Sequence, residues 1–245
     1  MEGPKEKHPT YLVDESRIEA QQDKTISETP ELRDHIGIIN AALDCISKLL
    51  HASGHSNEDE LAALRLAVRC FNSSAASLRL LRCGYYQPSF AMVRDLVETT
   101  FLLDLFQRDK VALKEWRTLP AKERERRFSP FGVRKRLDEM DGYKDAKRAA
   151  AYKMLSTYAA HPSPEGFRII SPNNMTQVGP FPDAGLLTAG LQELSKHLAY
   201  SAIVIITLVE SKDFAVLSVK QAFFDALERW RDTYMPREET ADDRE

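Results

Sequence analysis

Apolar residues recur along this chain at alternating spacings of four and three, the period of one helical face. One stretch departs from that pattern. Residues 88–107, PSFAMVRDLVETTFLLDLFQ, are apolar on every side, as expected of a helix enclosed by others. Within it stand Arg94 and Glu98, one helical turn apart and so neighbours on one face. An arginine and a glutamate in such a setting must pair and find partners for their remaining donors and acceptors. They are either a structural clasp or the floor of a site.

The other segments arrange themselves around this helix. Leu32, Ile36, Ile39, Leu43, Ile46 and Leu50 mark a helix opened by Thr29-Pro30 and stopped at Gly54, with proline in a tolerated first-turn position. Asn57, followed by three acids, caps a second helix. Its stripe reads Leu61, Leu64, Val68, Phe71, Ala75 and Leu78, and it ends at Gly84. The short link makes these two an antiparallel hairpin. Asp109 starts a short helix through Trp116, Ser129-Pro130 another, and a further helix covers about residues 144–160. Residues 161–182 hold five of the twelve prolines and form an irregular loop, or a small hairpin of residues 167–170 and 175–178 about the turn Ser171-Pro172-Asn173-Asn174. Two long helices close the chain. One is striped by Leu187, Leu191, Leu194, Leu198, Ala202, Ile205 and Val209, the other by Val216, Val219, Phe223, Leu227, Trp230 and Tyr234.

The fold class is therefore all-α, an antiparallel bundle of five or six long helices with short ones between. Residues 1–27 are polar and read as a flexible arm carrying at most a short helix near residues 13–21. Residues 28–236 form a single domain and residues 237–245 an acidic tail.

Composition narrows the function only a little. The chain has 245 residues, 43% hydrophobic and 29% charged, with a net charge of −3, so no global charge draws it to nucleic acid or membrane. Cys45, Cys70 and Cys83 are an odd number without a metal-binding spacing, and they read as small core residues rather than a disulfide framework or zinc site. No metal and no cofactor are expected. The N-terminus lacks signal-peptide character, and the longest apolar run, residues 198–209, is too short to span a bilayer. A cytoplasmic protein without membrane contact is the expectation.

Four groups of residues could carry chemistry. Arg94 with Glu98 could present a guanidinium fork to an anion. In residues 151–166, Met154, Tyr158 and His161 share a helical face, with Tyr152 and Ser156 nearby. His161 stands at the helix end just before Pro162, as a cap or as an imidazole at a pocket mouth. The run 122–136 carries seven basic and two acidic side chains. There Arg126, Arg127, Arg134 and Arg136 interleave with Phe128 and Phe131, either as a charged surface or as a phosphate contact. His197 and Tyr200 read as a polar notch. No Walker loop, dinucleotide fingerprint, HExxH or nucleophile elbow occurs.

The string RDLVET at residues 94–99, followed by a helix ending Y-x-x-LS-x-Y-x-x-H-P, resembles an uncharacterised family of bacterial helical-bundle proteins, a domain of unknown function. The matching residues are Arg94, Glu98, Tyr152, Leu155, Ser156, Tyr158, His161 and Pro162. That family is more distantly similar to the HEPN superfamily of nucleotide-binding and RNA-cleaving bundles. The resemblance implies catalysis without metal by Arg94 and His161, an RNA substrate and a homodimer. In this chain those two residues would have to meet across two helices rather than along one. Three functions follow as expectations. The first is a bundle whose pocket of Arg94, Glu98, Tyr158 and His161 binds a small anionic or nucleotide-like ligand. The second is an HEPN-like ribonuclease of a stress or phage-defence system. The third is a structural or partner-binding bundle holding a buried ion pair.

Overall fold

The computed structural model describes residues 13–143, 147–160, 162–209, 211 and 213–235. The chain forms ten α-helices among these residues: α1 Glu15–Glu28, α2 Pro30–Ala52, α3 Glu58–Arg82, α4 Tyr86–Arg108, α5 Lys110–Thr118, α6 Ala121–Arg127, α7 Pro130–Asp141, α8 Lys147–Leu155, α9 Ala184–Leu208 and α10 Phe214–Tyr234. None of the described residues is in a β-strand. Five helices exceed twenty residues, and the fold is the all-α bundle that the periodicity implies.

Local chemistry sets the boundaries. Thr29 stands at the N-cap position of α2 in extended backbone, with Pro30 in the first turn. The Asn57 side chain accepts from the backbone N–H groups of Asp59 and Glu60 at 3.0 and 2.9 Å, while Glu60 reaches back to Ser56 N at 2.6 Å, a reciprocal cap. Ser129 Oγ accepts from Gly132 N at 3.1 Å ahead of Pro130. Gly84 ends the α3–α4 link at φ 80°, and a Cβ there would stand 2.4 Å from the carbonyl oxygen of Phe181, so only glycine fits.

α4 packs on α3, α9, α7, α8 and α5. α9 is the second hub, lying against α2, α3 and α4, and α10 covers α2 from outside. All seven residues of the α9 stripe are buried. On α4, Phe90, Val93, Leu96, Val97, Phe101, Leu103, Leu105 and Phe106 are buried, whereas Met92 and Leu102 are half-buried.

α3 departs from the expected face. Val68 is exposed and the rest of its large-residue stripe only half-buried. The buried face is instead Ala62, Ala63, Ala67, Cys70, Ser73, Ser74, Ser77 and Leu81. Small residues let the α3 backbone approach α4 closely, and the hydroxyls there are satisfied: Ser74 Oγ donates to Cys70 O at 2.8 Å, and Ser77 and Ser89 Oγ lie 2.8 Å apart. Burial free of unmet polar groups can favour close packing over side-chain size. The three cysteines are buried and free, and desolvation pushes the Cys45 and Cys70 thiols up to about 11. Such thiols are poor nucleophiles at neutral pH.

Residues 13–28 correct the expected arm. α1 docks on α2, α3 and α9 with Ile18 and Gln22 buried. Gln22 Nε2 donates to the Tyr86 hydroxyl at 2.5 Å, and that hydroxyl also meets Asp183 O at 3.1 Å and Asp183 N at 2.6 Å. One buried phenol thus ties α1, α4 and the start of α9 together, and burial pushes it up to about 12. Residues 1–12 and the acidic tail, residues 237–245, lie outside the described residues.

The suggested hairpin is also corrected. Glu165–Ile170 and Pro172–Asn174 are 3-10 turns, with Asn173 and Asn174 in the left-handed region at φ 53° and 62°, which asparagine tolerates. A bond from Gln177 N to Ile170 O at 2.9 Å closes the bend. The helix expected over residues 144–160 is α8, followed by a wide π turn at Ser156–Ala160.

Candidate functional site

Four predicted site residues meet where α8 crosses α4. Arg94 Nη2 lies 2.8 Å from Glu98 Oε1. Arg94 also donates through Nη2 to the Tyr152 hydroxyl and through Nε to Ser156 Oγ, the latter at 3.1 Å. The Tyr152 hydroxyl in turn donates a hydrogen bond to Glu98 Oε1 at 2.6 Å. The ion pair is half-buried, with side-chain exposures of 24% and 28%, not largely buried as its position on an apolar helix suggests. Ser156 reaches it from the first residue of the π turn, a geometry often found at functional sites.

A fifth residue completes the group. The Arg134 guanidinium of α7 lies 3.9 Å above the Tyr152 ring, on which Arg94 also rests at 5.0 Å. Arg134 is 9% exposed, and its buried Nε and Nη1 have no hydrogen-bond partner. Arginine stays charged in proteins, and unmet donors on a buried cation are costly. Arg134 also lines a cavity of about 200 Å³ between α3, α4, α5 and α7. Its other walls are Leu66, Phe101, Leu102, Trp116, Phe128, Pro130 and Val133, with Arg69, Asp95, Glu98 and Thr99 as the polar lining. Asp95 is already engaged: both oxygens accept from Arg69 Nε at 3.2 Å, and Oδ2 from Ser73 Oγ at 2.6 Å. Leu66, Arg69, Asp95 and Trp116 also line a larger groove beside α3.

The remaining predicted residues go elsewhere. Tyr158 lines a separate apolar cavity of about 230 Å³ with Phe90, Met154, Leu155, Ile169 and Leu186. His161 lies outside the described residues. Of the basic run, Arg127 pairs with Glu115 at 2.8 Å and Arg136 with Asp109 at 2.8 Å. Arg134 is buried, and Arg126 is exposed. The four do not form one basic surface, because neighbouring acids and the core take up three of them. His197 and Tyr200 also part: His197 Nε2 stands 3.2 Å from Glu193, and Tyr200 donates to Asp104. Burial would raise the Glu193 carboxyl, yet His197 and Lys196 hold it below the usual glutamate range.

Sequence reasoning read Arg134 as part of a charged surface or a phosphate contact and missed its part in the cavity. Nothing in its spacing separates it from Arg136. Two further polar clusters were missed. Asp104, 2% exposed, accepts from Arg108 Nε at 2.7 Å and Nη2 at 3.1 Å, and from the Tyr200 hydroxyl. Arg108 continues to Asp141, and Arg148 ties Asp141 to Asp138. The four-residue spacing of Asp104 and Arg108 within the same apolar helix was the available signal. The other cluster surrounds His35, buried between α2, α9 and α10.

No group of three or more His, Cys, Asp or Glu positioned for a metal ion occurs among the described residues. No helix among them is long and apolar enough to cross a membrane. Comparison with protein-family models, curated proteins and solved structures gives no match.

Proposed function

We propose that this bundle is a binding protein for a small anionic ligand, held beside the Arg94–Glu98–Tyr152 cluster in the cavity that Arg134 lines. The observation that carries this reading is Arg134 itself. A guanidinium stacked on Tyr152, 9% exposed and with two buried donors unpartnered, borders a cavity of about 200 Å³. An anion there would balance the unpaired charge of this guanidinium in a site of low dielectric, where charge-assisted interactions are strong. The neighbouring groups are preorganised: Tyr152 is fixed by Arg94 and Glu98, and Asp95 by Arg69 and Ser73.

The ribonuclease that the family resemblance implies would need Arg94 to meet a phosphate. In this structure Arg94 spends Nε on Ser156 and Nη2 on Tyr152 and Glu98. We therefore take binding rather than RNA cleavage as the function, with Arg94 as a positioning residue and Arg134 as the ligand contact.

The test is thermal melting against a panel of anions. A ligand present at 100 times its Kd stabilises the folded state by about 2.7 kcal/mol, a rise in Tm of roughly 5–10 °C for a chain of this size. The rise should vanish in Arg134→Met. A panel without any Arg134-dependent rise removes this reading.

A further inference from the structure

We infer that the ligand of this cavity is a small monocarboxylate with an apolar, planar body. The inference rests on the binding reading above and gives it a chemical class.

Charge comes first. The charged side chains that line the cavity, or pair with its lining, are Arg69, Arg94, Arg134, Asp95 and Glu98. Arg69 is matched by Asp95 and Arg94 by Glu98. Arg134 remains, so the site lacks one negative charge and no more. A monoanion balances it, whereas a phosphate monoester or a polyphosphate would set surplus negative charge against Asp95 and Glu98.

Shape and polarity agree with this. A cavity of about 200 Å³ lies below the range of pockets that enclose drug-sized ligands. Trp116, Phe101, Phe128 and Leu102 are among its walls. Trp116 and Phe128 are themselves braced from beneath by Phe106, at ring separations of 5.6 and 6.1 Å. A lining whose other charges are paired, with one cation left over beside apolar walls, orients a ligand that has an apolar body and one charged end. A flat ring suits these walls, since aromatic faces and edges pack favourably against one another.

Benzoate is the probe, with benzamide as its neutral isostere and with inorganic phosphate and AMP as competing anion classes. Binding is read by titration calorimetry on the full chain and by the emission of Trp116 in a Trp230→Phe background. The expected result is benzoate binding and a change in Trp116 emission. Benzamide should bind at least roughly tenfold more weakly, as loss of a charge-assisted bond entails, and Arg134→Met should abolish the benzoate signal. Far-ultraviolet circular dichroism and a melt show whether Arg134→Met is folded. If it is not, Arg134→Lys, which keeps the charge and loses the planar fork, serves instead and should weaken benzoate binding. Equal binding of benzamide overturns the monoanion assignment. Tighter Arg134-dependent binding of phosphate or AMP overturns the ligand class while leaving the anion site standing. Absence of Arg134-dependent binding by any of the three anions overturns both the class and the site.

Discussion

α4 carries two arginine–carboxylate pairs at the same four-residue spacing, and they are put to different use. Toward the C-terminal end, Asp104 is 2% exposed and all its partners are present: two donors of Arg108 and the Tyr200 hydroxyl. Arg108 and Arg148 then share Asp141, and Arg148 also holds Asp138. None of these groups appears among the described buried polar atoms left without a partner. Toward the N-terminal end, Arg94 and Glu98 are half-buried, and the cluster includes a further cation, Arg134, with donors to spare. Spacing and chemistry are alike in the two pairs. What separates clasp from site is the balance of donors and acceptors, and only the second pair leaves a remainder beside a cavity.

The largest effect is expected at the clasp. Asp104→Ala removes a buried carboxylate and takes the acceptor from two Arg108 donors and the Tyr200 hydroxyl, leaving Arg108 only Asp141. Breaking one partner of a buried pair costs about 3–5 kcal/mol, a fall in Tm of roughly 6–20 °C for a chain of this length. Anion binding at Arg134 should be unchanged. A Tm loss below about 2 °C, corresponding to at most about 1 kcal/mol, would show that the Asp104 cluster is not a clasp and would dissolve the contrast.

Arg94→Leu should cost less, about 1–2 kcal/mol, because the pair is half-exposed and water can screen what is left. The double variant Arg94→Leu/Glu98→Leu should recover part of that loss. It should nonetheless weaken anion binding, because Tyr152 loses both groups that fix its hydroxyl. Chemical denaturation of the two singles and the double gives the coupling energy. Unaltered anion binding in the double variant would make Arg94 and Glu98 a second clasp rather than the frame of a site.

These two pairs also show what the sequence could convey. Periodicity marked α4 as the central helix and found the buried stripe of α9, because large apolar residues at helical spacing leave few alternatives. It misjudged α3, where the buried face is alanine, serine and cysteine and the larger residues lie at its margins. A hydrophobic stripe reports side-chain transfer energy, whereas close helix packing is bought by smallness. It missed the docking of α1 for a related reason: that helix buries only one isoleucine and one glutamine, and the glutamine acts through a phenol 64 residues away. At the site, the motif around Arg94 and the helix bearing Tyr152 and Ser156 were legible, since their residue types and spacing are unusual in an apolar setting. The unpartnered donors of Arg134 were not. Satisfaction of a donor is a property of three-dimensional neighbours, and Arg134 and Arg136 look alike until Asp109 is seen to claim only the second.

A third polar cluster, away from α4, sharpens the comparison through pH. His35 is buried, and its Nδ1 accepts from Trp230 Nε1 at 2.9 Å with Ser195 Oγ at 3.0 Å. A nitrogen that accepts from an indole N–H carries no proton, so the neutral imidazole has its proton on Nε2, 3.7 Å from Glu31. Burial lowers the His35 pKa below its ordinary value, and Glu31 and Asp34 offset this only in part. The unfolded chain therefore binds the proton more readily. The stability from neutral His35 is full above about pH 6.5 and is lost as pH falls from there through the folded-state value. The slope is at most about 1.4 kcal/mol per pH unit. Asp141, held below the usual carboxylate range by Arg148 and Arg108, loses its contribution only below about 4, so the two windows are distinct. Melting curves from about pH 7 to pH 5 should show the early loss in the wild type and a flatter course in His35→Gln. Equal slopes would assign the acid loss to another group.

The smallest expected change in stability, and the most telling, belongs to Arg134. At the clasp every buried charge is met, so its removal is costly. At the site one buried charge is unmet, so its removal should cost almost nothing. Arg134→Met keeps a long, flexible side chain over the Tyr152 ring, and a thioether packs well on an aromatic face. It also removes a buried guanidinium whose Nε and Nη1 lack acceptors, a desolvation cost of about 1–3 kcal/mol on general grounds. Against this stands the lost cation–π contact, worth about 0.5–2 kcal/mol. The two nearly cancel, and without ligand the variant should melt within about 2 °C of the wild type, or slightly above it, since 1 kcal/mol corresponds to roughly 2–4 °C here. With a saturating anion the order should reverse, because only the wild type gains from binding. A variant of unchanged stability that no longer responds to anions would place Arg134 at a binding site. A ligand-free variant that melts 6 °C or more below the wild type, roughly 2 kcal/mol, would mean that Arg134 is held by partners as firmly as Asp104 is, and the two ends of α4 would then be alike.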